Sequence, residues 1–438
     1  MISKRKQIIK SILLMITILI VVGGILDLKV FAEGKKTLEF FMLGGRDEKI
    51  VMEEIVKRYE VEHPDVEIVT TWESGDRYYD KLKVRIASGN PPDLTRIVVE
   101  EYQGLAERGA FLDIAPYIEK AKKKDPEFKE QMDDYIDILL DAAVFKDSIY
   151  GLPADWNDGI IFYNKDLFDQ AGLDYPSDDW TVEKFLETAK KLTKDTNNDG
   201  RIDQYGYLVT GNWFDCIAPW IYTFGGRILT DDWTKSALNE PGSIEGISFI
   251  NDLVNKYKVS PSPAVMKQMG GEQFFMSGKV AMAHYGRYMV PAFRKLSFDW
   301  DVVEQPVGPN EKRGVPYGVA FISASSKTKY PEVAFDFIRF YSSKINVQLF
   351  NELGNSIPVL ESVVEQEDFI NPDKAPKNQW AMIEEVKYAR LIPSPPGNAE
   401  IIEIATSKLD ELLVTNELTV EEVAEQITEE INEILNNN

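Results

Sequence analysis

The first hundred positions after the N-terminal segment alternate between strand-like and helix-like spacing of apolar residues. Thr37 to Met42 predicts a strand. Helical spacing then follows in Ile50, Val51, Ile55, Val56 and Tyr59. Val66, Ile68 and Thr70 alternate as a second strand, and Asp93 to Val99 predicts a third. A strand–helix–strand unit joins parallel strands through a right-handed crossover, so this region predicts an α/β lobe.

The middle of the chain repeats this alternation. Ile160 to Tyr163 predicts a strand, and Thr181 is a candidate N-cap because its hydroxyl can accept a free backbone N–H. Further strands are predicted at Phe298 to Val303 and Tyr317 to Ile322, with a helical tail after residue 400. Together with the first region, these elements predict two α/β lobes.

The lobes are expected to be joined by strands or short crossings, because the chain contains no Gly/Ser-rich linker. The candidate crossings are Leu152 to Asp158 and Val303 to Val307. The predicted division places residues 37–152 and 304–342 in the N-terminal lobe, and residues 153–303 and 343–438 in the C-terminal lobe.

Residues 1–32 have the composition of a signal peptide rather than of folded structure. A basic start is followed by an uncharged apolar run from Ser11 to Leu26 and by Val30-Phe31-Ala32, a small-residue cleavage pattern. The apolar run is shorter than the roughly 20 residues that a membrane span needs. Cys216 is the only cysteine, so the signal segment offers no lipid-attachment Cys. We therefore expect an exported protein at the cell surface, extracellular or periplasmic, without a lipid anchor of that kind.

The net charge of −23 limits the classes of partner that the protein is expected to bind. An acidic surface repels nucleic acid and anionic lipid head groups, so neither is expected as a partner.

Several distinctive segments follow one another along the chain, among them PPDL, LAERGAFLDIAPYI, YGLPADWNDGIIFYNKDLFDQAGL, FFMSGKVAMAHYGRY, FDWDVVEQPVGPN and GVAFISASSK. In their order and spacing they resemble the carbohydrate-type solute-binding proteins of ABC importers, the family that includes maltose-binding protein. The resemblance implies a two-lobe periplasmic-binding-protein-like fold whose hinged interlobe cleft closes on a ligand. It further implies delivery of that ligand to the transmembrane subunits of an ABC permease. We expect a monomer that requires no cofactor.

A sugar presents alternating hydroxyls and apolar faces, so its recognition needs polar side chains and flat aromatic rings. Asp155, Trp156 and Asn157 lie at the first crossing, although the same residues could form a surface turn. Arg46, Trp72 and Glu100 follow the first three strands, and ligands bind at strand ends in open α/β sheets. Tyr317 lies near the second crossing. The resemblance adds Trp213 and Tyr288, and Arg287 beside Tyr288 could equally form a surface ion pair.

The loop 195–203 has the oxygen-bearing residues of the first part of an EF-hand. Side-chain oxygens at Asp195, Asn197, Asp199 and Asp203, with the carbonyl of Arg201, could hold a structural Ca²⁺. Gly206 stands where the motif needs a bidentate Glu, so the pattern is incomplete. An Asx-rich turn without metal is the alternative.

Enzyme signatures are sparse, and we expect a binding protein. His63 and His284 are the only histidines, and neither lies near a nucleophile or metal motif. A carbohydrate-active hydrolase would need two carboxylates at a separation that the sequence does not reveal. A ligand-bound partner of a membrane sensor needs the same cleft and stays open as a second alternative.

Overall fold

A computed structural model describes residues 34–266, 269–366, 369 and 373–437. The predicted signal peptide, 1–32, lies outside these residues. The strands are β1 (Lys36–Leu43), β2 (Val66–Glu73), β3 (Leu94–Val98), β4 (Val144–Phe145), β5 (Ser148–Ile149), β6 (Gly151–Asp158), β7 (Ile160–Asn164), β8 (Met282–Tyr285), β9 (Trp300–Val303), β10 (Val315–Ala324) and β11 (Ala389–Leu391). Within the described part of the chain, no helix combines the length and the apolar character that a membrane crossing requires.

Helices cover most of the remaining chain. They are α1 (Arg46–Glu62), α2 (Asp76–Ala87), α3 (Val99–Glu107), α4 (Ala115–Lys122), α5 (Pro126–Asp133), α6 (Asp137–Asp141), α7 (Lys165–Ala171), α8 (Val182–Leu192), α9 (Ala218–Thr223), α10 (Pro241–Asn255), α11 (Pro263–Met266), α12 (Gly271–Met276), α13 (Val290–Phe293), α14 (Pro331–Tyr341), α15 (Lys344–Asn351), α16 (Glu361–Val364), α17 (Ala381–Glu384), α18 (Asn398–Thr415) and α19 (Val420–Asn437). A π-helix spans Trp213–Ile217, and 3₁₀ helices span Arg287–Met289, Pro309–Glu311 and Glu385–Tyr388.

The first lobe is built on a six-stranded mixed sheet. β1 pairs in parallel with β2 and with β3, which confirms the parallel strands predicted from the strand–helix–strand pattern. β10 runs antiparallel to β3 on one edge and to β6 on the other. β11 pairs in parallel with the start of β10, on the same edge as β3.

The second lobe is built on a smaller antiparallel sheet in the order β8-β7-β9. Thr181 caps α8 as predicted, because its hydroxyl accepts the N–H of Lys184 at 3.3 Å. The tail helices α18 and α19 pack on α10. Their apolar faces share a core with α8 and β7.

Two connections between the lobes lie near the predicted crossings, with different boundaries. β6 stays paired with β10 as far as Asp158, so residues 153–158 belong to the first lobe rather than the second. The chain then passes through Gly159 into β7. The second connection leaves β9, and Val307 still pairs with Thr181, so it joins the first lobe only at Val315.

Close packing fixes the second connection against α9. A Cβ at Gly308 would lie 2.2 Å from the Thr223 carbonyl oxygen, and one at Gly314 would lie 2.1 Å from that of Pro219. Contacts that short are impossible for a side chain, so this approach requires glycine at both positions.

The segment after residue 343 does not belong wholly to the second lobe, contrary to the predicted division. α15 packs on α1 of the first lobe, because its apolar face completes the core on that side of the first sheet. Lys377 and Asn378 then donate backbone N–H groups to Asp301 of the second lobe. The 3₁₀ helix Glu385–Tyr388 carries the chain back to β11, which forms a third connection.

Candidate ligand-binding cleft

A cavity of about 550 Å³ lies between the lobes, a volume within the usual range for small-ligand sites. Its floor is a row of three strands, in which Ala320 of β10 pairs with Val98 of β3 and with Asp155 of β6. The first lobe contributes Tyr79, Arg96, Val98, Glu100, Glu101, Asp155, Asn157, Gly318, Val319 and Ala320, and the opposite wall consists of Tyr288, Asn398, Ala399 and Ile402.

A larger cavity of about 880 Å³ lies elsewhere, between the C-terminal end of α1 and helices α5 and α14. Residues of the first lobe alone line it, and none of the predicted ligand contacts is among them. The interlobe cavity is the better candidate, because both lobes contribute to it and clefts between lobes are common ligand sites.

A buried ion pair is among the groups that line the cavity. The Arg96 guanidinium donates to both carboxylate oxygens of Asp155, with Nη2 at 2.8 Å and 2.7 Å. Its Nη1 donates to the Leu43 carbonyl, and Glu48 lies 3.7 Å from Nη2. Burial raises the pKa of Asp155, and the Arg96 charge opposes that rise. Such bidentate pairs are rigid, so Arg96 and Asp155 hold β3 and β6 in register at the cavity floor.

Two glutamates stand above this pair at the start of α3. Burial raises the pKa of Glu100, and the neighbouring charge of Glu101 adds to the rise. Glu101 is itself paired with Lys83 at 2.6 Å. Glu100 therefore offers the cavity a carboxyl group that can accept or, when protonated, donate a hydrogen bond.

Tyr288 faces these groups from the second lobe, and its side chain is 40% exposed. Its hydroxyl donates to Asp215, lying 2.7 Å from each carboxylate oxygen, and its backbone N–H donates to Asn157 Oδ1 at 3.1 Å. Burial raises the pKa of Asp215 to about 7, against the lowering effect of the Tyr288 hydrogen bond. The ring is thus held by its hydroxyl at one end, and part of its surface is left open.

The structure brings four of the ten predicted ligand contacts to the interlobe cavity: Glu100, Asp155, Asn157 and Tyr288. Arg46 and Trp72 lie apart from it, at the ends of β1 and β2. The Trp72 indole N–H donates to the Gly44 carbonyl at 2.7 Å, and Arg46 is exposed at the start of α1.

Four other predicted contacts are buried, contrary to the expectation of open aromatic or cationic surfaces. The Trp156 indole N–H donates to the Pro358 carbonyl, and the Tyr317 hydroxyl donates to the Ile138 carbonyl. The Trp213 indole N–H donates to Thr406 of α18. Arg287 is 2% exposed and bonds Gln379, so it forms no surface ion pair. Each of these side chains bonds a partner distant in sequence and is at most 7% exposed.

Sequence reasoning missed several residues of the cavity, among them Tyr79, Arg96, Asn398 and Ile402. Arg96 carried a usable signal, since it is a single charge inside the apolar strand Leu94–Val98. A buried charge in a strand usually has a partner or a function. Asn398 carried none, because α18 reaches the cleft only through the folded second lobe.

The loop 195–203 uses its side-chain oxygens for local hydrogen bonds. Asp195 accepts the N–H groups of Asp199 and Gly200, and Asp203 accepts the N–H of Thr196 at 2.9 Å. Among the residues that the structure describes, no three acidic, histidine or cysteine side chains come together as metal ligands. This geometry is that of the Asx turn, the alternative set out above.

The fold matches known proteins. An ABC substrate-binding protein from Listeria monocytogenes, solved in complex with cycloalternan, is 26% identical, with a TM-score of 0.81 over 92% of this chain and 99% of that one. The maltodextrin-binding protein of Bacillus subtilis is 24% identical over 84% of this chain and 83% of its own length. The maltotriose-binding protein of Pyrococcus abyssi is 24% identical over 83% of this chain and 74% of its own length. The profile of the family "Bacterial extracellular solute-binding protein" matches residues 46–348, and the chain belongs to this family.

Proposed function

We propose that this chain is the extracytoplasmic substrate-binding component of an ABC sugar importer, and that it binds a mono- or oligosaccharide in the interlobe cleft. The observation that carries the proposal is the composition of the two cavity walls. Glu100, Asp155 and Asn157 lie on one wall and the partly exposed ring of Tyr288 on the other. Polar oxygens bind sugar hydroxyls, while the ring packs on the C–H face of a pyranose.

The charges around the cavity favour a neutral ligand. Arg96 is bonded to Asp155 on the cavity floor, and Lys83 is bonded to Glu101 at its edge. An anionic ligand would have to compete for these cations with carboxylates already in place. A neutral sugar needs only hydrogen bonds, which the pairs can still form with their remaining lone pairs and N–H groups.

The relatives support an oligosaccharide rather than another solute, since those named above bind maltodextrin, maltotriose or cycloalternan. On this proposal the chain is exported, works outside the cytoplasmic membrane as a monomer without a cofactor, and delivers the sugar to the transmembrane subunits of a permease. Closure of the lobes around the sugar produces the form that the permease recognises.

A ligand screen tests the proposal directly. Candidate sugars are maltotriose, longer maltodextrins, cycloalternan, and galacto- and arabino-oligosaccharides, the last two classes being named in further relatives. A ligand at 100 times its Kd stabilises the folded state by about 2.7 kcal/mol, which a thermal shift detects. Calorimetry then gives the Kd. Failure of every sugar to bind would contradict the proposal.

Turnover distinguishes a receptor from a hydrolase. We expect chromatography to recover any stabilising oligosaccharide intact after long incubation with the pure protein. If shorter sugars are released, and this activity persists after the protein is purified again, the hydrolase alternative would replace the receptor function.

A further inference from the structure

Three connections between the lobes meet at a buried polar cluster outside the ligand cavity. Asp158 is the last residue of β6, immediately before Gly159 leads into β7. Gln305 lies in the second connection, and Glu385 begins the 3₁₀ helix of the third. The Gln305 backbone N–H donates to Glu385 Oε1, which ties the second connection to the third.

Carboxylate oxygens in this cluster lack hydrogen-bond partners. Asp158 and Glu385 are both completely buried. Neither oxygen of Asp158 has a partner, and Glu385 Oε2 has none either, among the described residues. Nearly all buried polar groups in proteins are hydrogen-bonded, so three such oxygens in one cluster require an explanation.

Among the described residues, no cation forms an ion pair with either acid. Arg287 is the cation that acts on Asp158, but it bonds Gln379 and its guanidinium lies over the ring of Phe369. Burial lowers the pKa of Arg287 to about 9, and Arg294 adds to that lowering. Near Glu385, Arg313 is already paired with Glu304. His284 bonds Gln305, and burial lowers its pKa to about 3, so it is neutral.

A buried carboxylate without a partner is costly, and such a group takes up a proton instead. Burial raises the pKa of Asp158 to about 8, partly opposed by Arg287. Burial and the charge of Asp158 raise the pKa of Glu385 well above its ordinary value. The two acids influence each other, so they titrate as a pair.

We propose that Asp158 and Glu385 form a proton-holding carboxyl pair at the interlobe connections, whose deprotonation at alkaline pH forces these connections apart and so shifts the lobes. Two like charges in a dry site repel strongly, and separation with entry of water relieves the repulsion. Since the two acids lie on different connections, that separation changes the relative position of the lobes. This role belongs to the connections between the lobes and does not depend on which ligand the cleft binds.

The pair makes a definite contribution to pH-dependent stability. Between about pH 4 and pH 8 Asp158 is protonated in the folded state and ionised in the unfolded state. The folded state therefore holds more protons, and the free energy of unfolding falls as pH rises through this window. Above about pH 8 both states have lost the proton and the contribution is constant.

Unfolding of Asp158→Asn, Glu385→Gln and the double variant, measured from pH 5 to pH 9, tests the pair. Asn is neutral at every pH, so the Tm of Asp158→Asn should rise relative to that of wild type as the pH increases to 8. Above pH 8 the difference in Tm should stay constant. A relative gain on the order of 3–5 °C for each pH unit between pH 5 and pH 8 is expected, scaled from domains of 150–250 residues. Because the acids are coupled, the single effects should not add in the double variant.

The exposed Glu403→Gln of α18 is the matched control for loss of one acidic side chain. Small-angle X-ray scattering at pH 6 and pH 9 measures the lobe shift on ligand-free protein. Wild type should expand between the two values, and the double variant should not. A constant difference in Tm between Asp158→Asn and wild type at every pH would overturn the proton assignment. Identical scattering of wild type at both values would overturn the lobe shift.

Discussion

Tyr288 is the aromatic residue through which the second lobe should contact a sugar, and replacing it tests the cleft assignment. Tyr288→Ala removes the partly exposed ring and the hydroxyl bonded to Asp215. Tyr288→Phe removes only the hydroxyl. The two variants therefore separate the ring as a binding surface from the hydroxyl as an anchor.

The expected magnitudes differ for the two variants. Truncation of an aromatic anchor costs about 1–3 kcal/mol of binding free energy, so Tyr288→Ala should raise the Kd roughly 5- to 150-fold. Tyr288→Phe keeps the ring and should change the Kd less than about 5-fold. Both variants lose a hydrogen bond to a buried carboxyl group, which is worth about 1.5–3 kcal/mol of stability when that group is ionised.

The stability loss should depend on pH through Asp215. In wild type the pKa of Asp215 is raised to about 7, so the stability that protonated Asp215 contributes is lost as pH rises through that value. The Tyr288 hydroxyl lowers the pKa, so Tyr288→Phe raises it further. The Tm difference between Tyr288→Phe and wild type should therefore grow from pH 6 to pH 8. In an Asp215→Asn background this growth should disappear.

Gly286→Ala provides a steric variant that keeps every atom of Tyr288. A Cβ at Gly286 would lie 2.7 Å from the Tyr288 ring, so the ring must move. The backbone at Gly286 has φ of −83°, which alanine adopts without strain. Calorimetry with the tightest sugar of the screen should show weaker binding for Gly286→Ala than for Tyr288→Phe. If Tyr288→Ala binds within twofold of wild type, the ring lies outside the ligand site.

Two further predictions concern residues whose assignment the structure changes or leaves open. Trp156→Ala should lower the free energy of unfolding in urea by about 3–5 kcal/mol, as expected for a buried aromatic side chain. The protein that remains folded should bind sugar with a nearly unchanged Kd. A large rise in Kd would show that Trp156 belongs to the ligand site. Calcium binding at the loop 195–203 stays a prediction. Calcium, compared with chelator, should raise the Tm of wild type but not that of Asp199→Ala. If both proteins melt at the same temperature with calcium and with chelator, the loop is only an Asx turn.

The fold was predictable where local pattern determines it. Apolar spacing and caps located β1, α1, β2 and α8, because helices and strands bury one face at a fixed period. The lobe boundaries were not predictable at the same level. β6 continues in its sheet to Asp158, and α15 returns to α1, and both depend on pairings with residues far away in the chain.

Of three neighbouring predicted contacts, Asp155 and Asn157 lie at the cavity and Trp156 does not. The sequence suggested a polar-aromatic loop, but the segment is part of β6. Successive side chains of a strand point to opposite faces. Asp155 and Asn157 therefore line the cavity, while Trp156 between them is buried in the first lobe.

That alternation also connects the ligand cleft to the buried acids. Asp158 is two residues beyond Trp156 and, like it, is buried, so the end of β6 carries cavity-lining side chains on one face and the proposed proton-holding carboxyl on the other. Asn157, which accepts the Tyr288 N–H, directly precedes Asp158. A displacement of Asp158 must therefore move Asn157 and its bond to the second lobe, because adjacent Cα atoms are fixed about 3.8 Å apart. The hinge and the binding site share one strand, and the chemistry of one face acts on the geometry of the other.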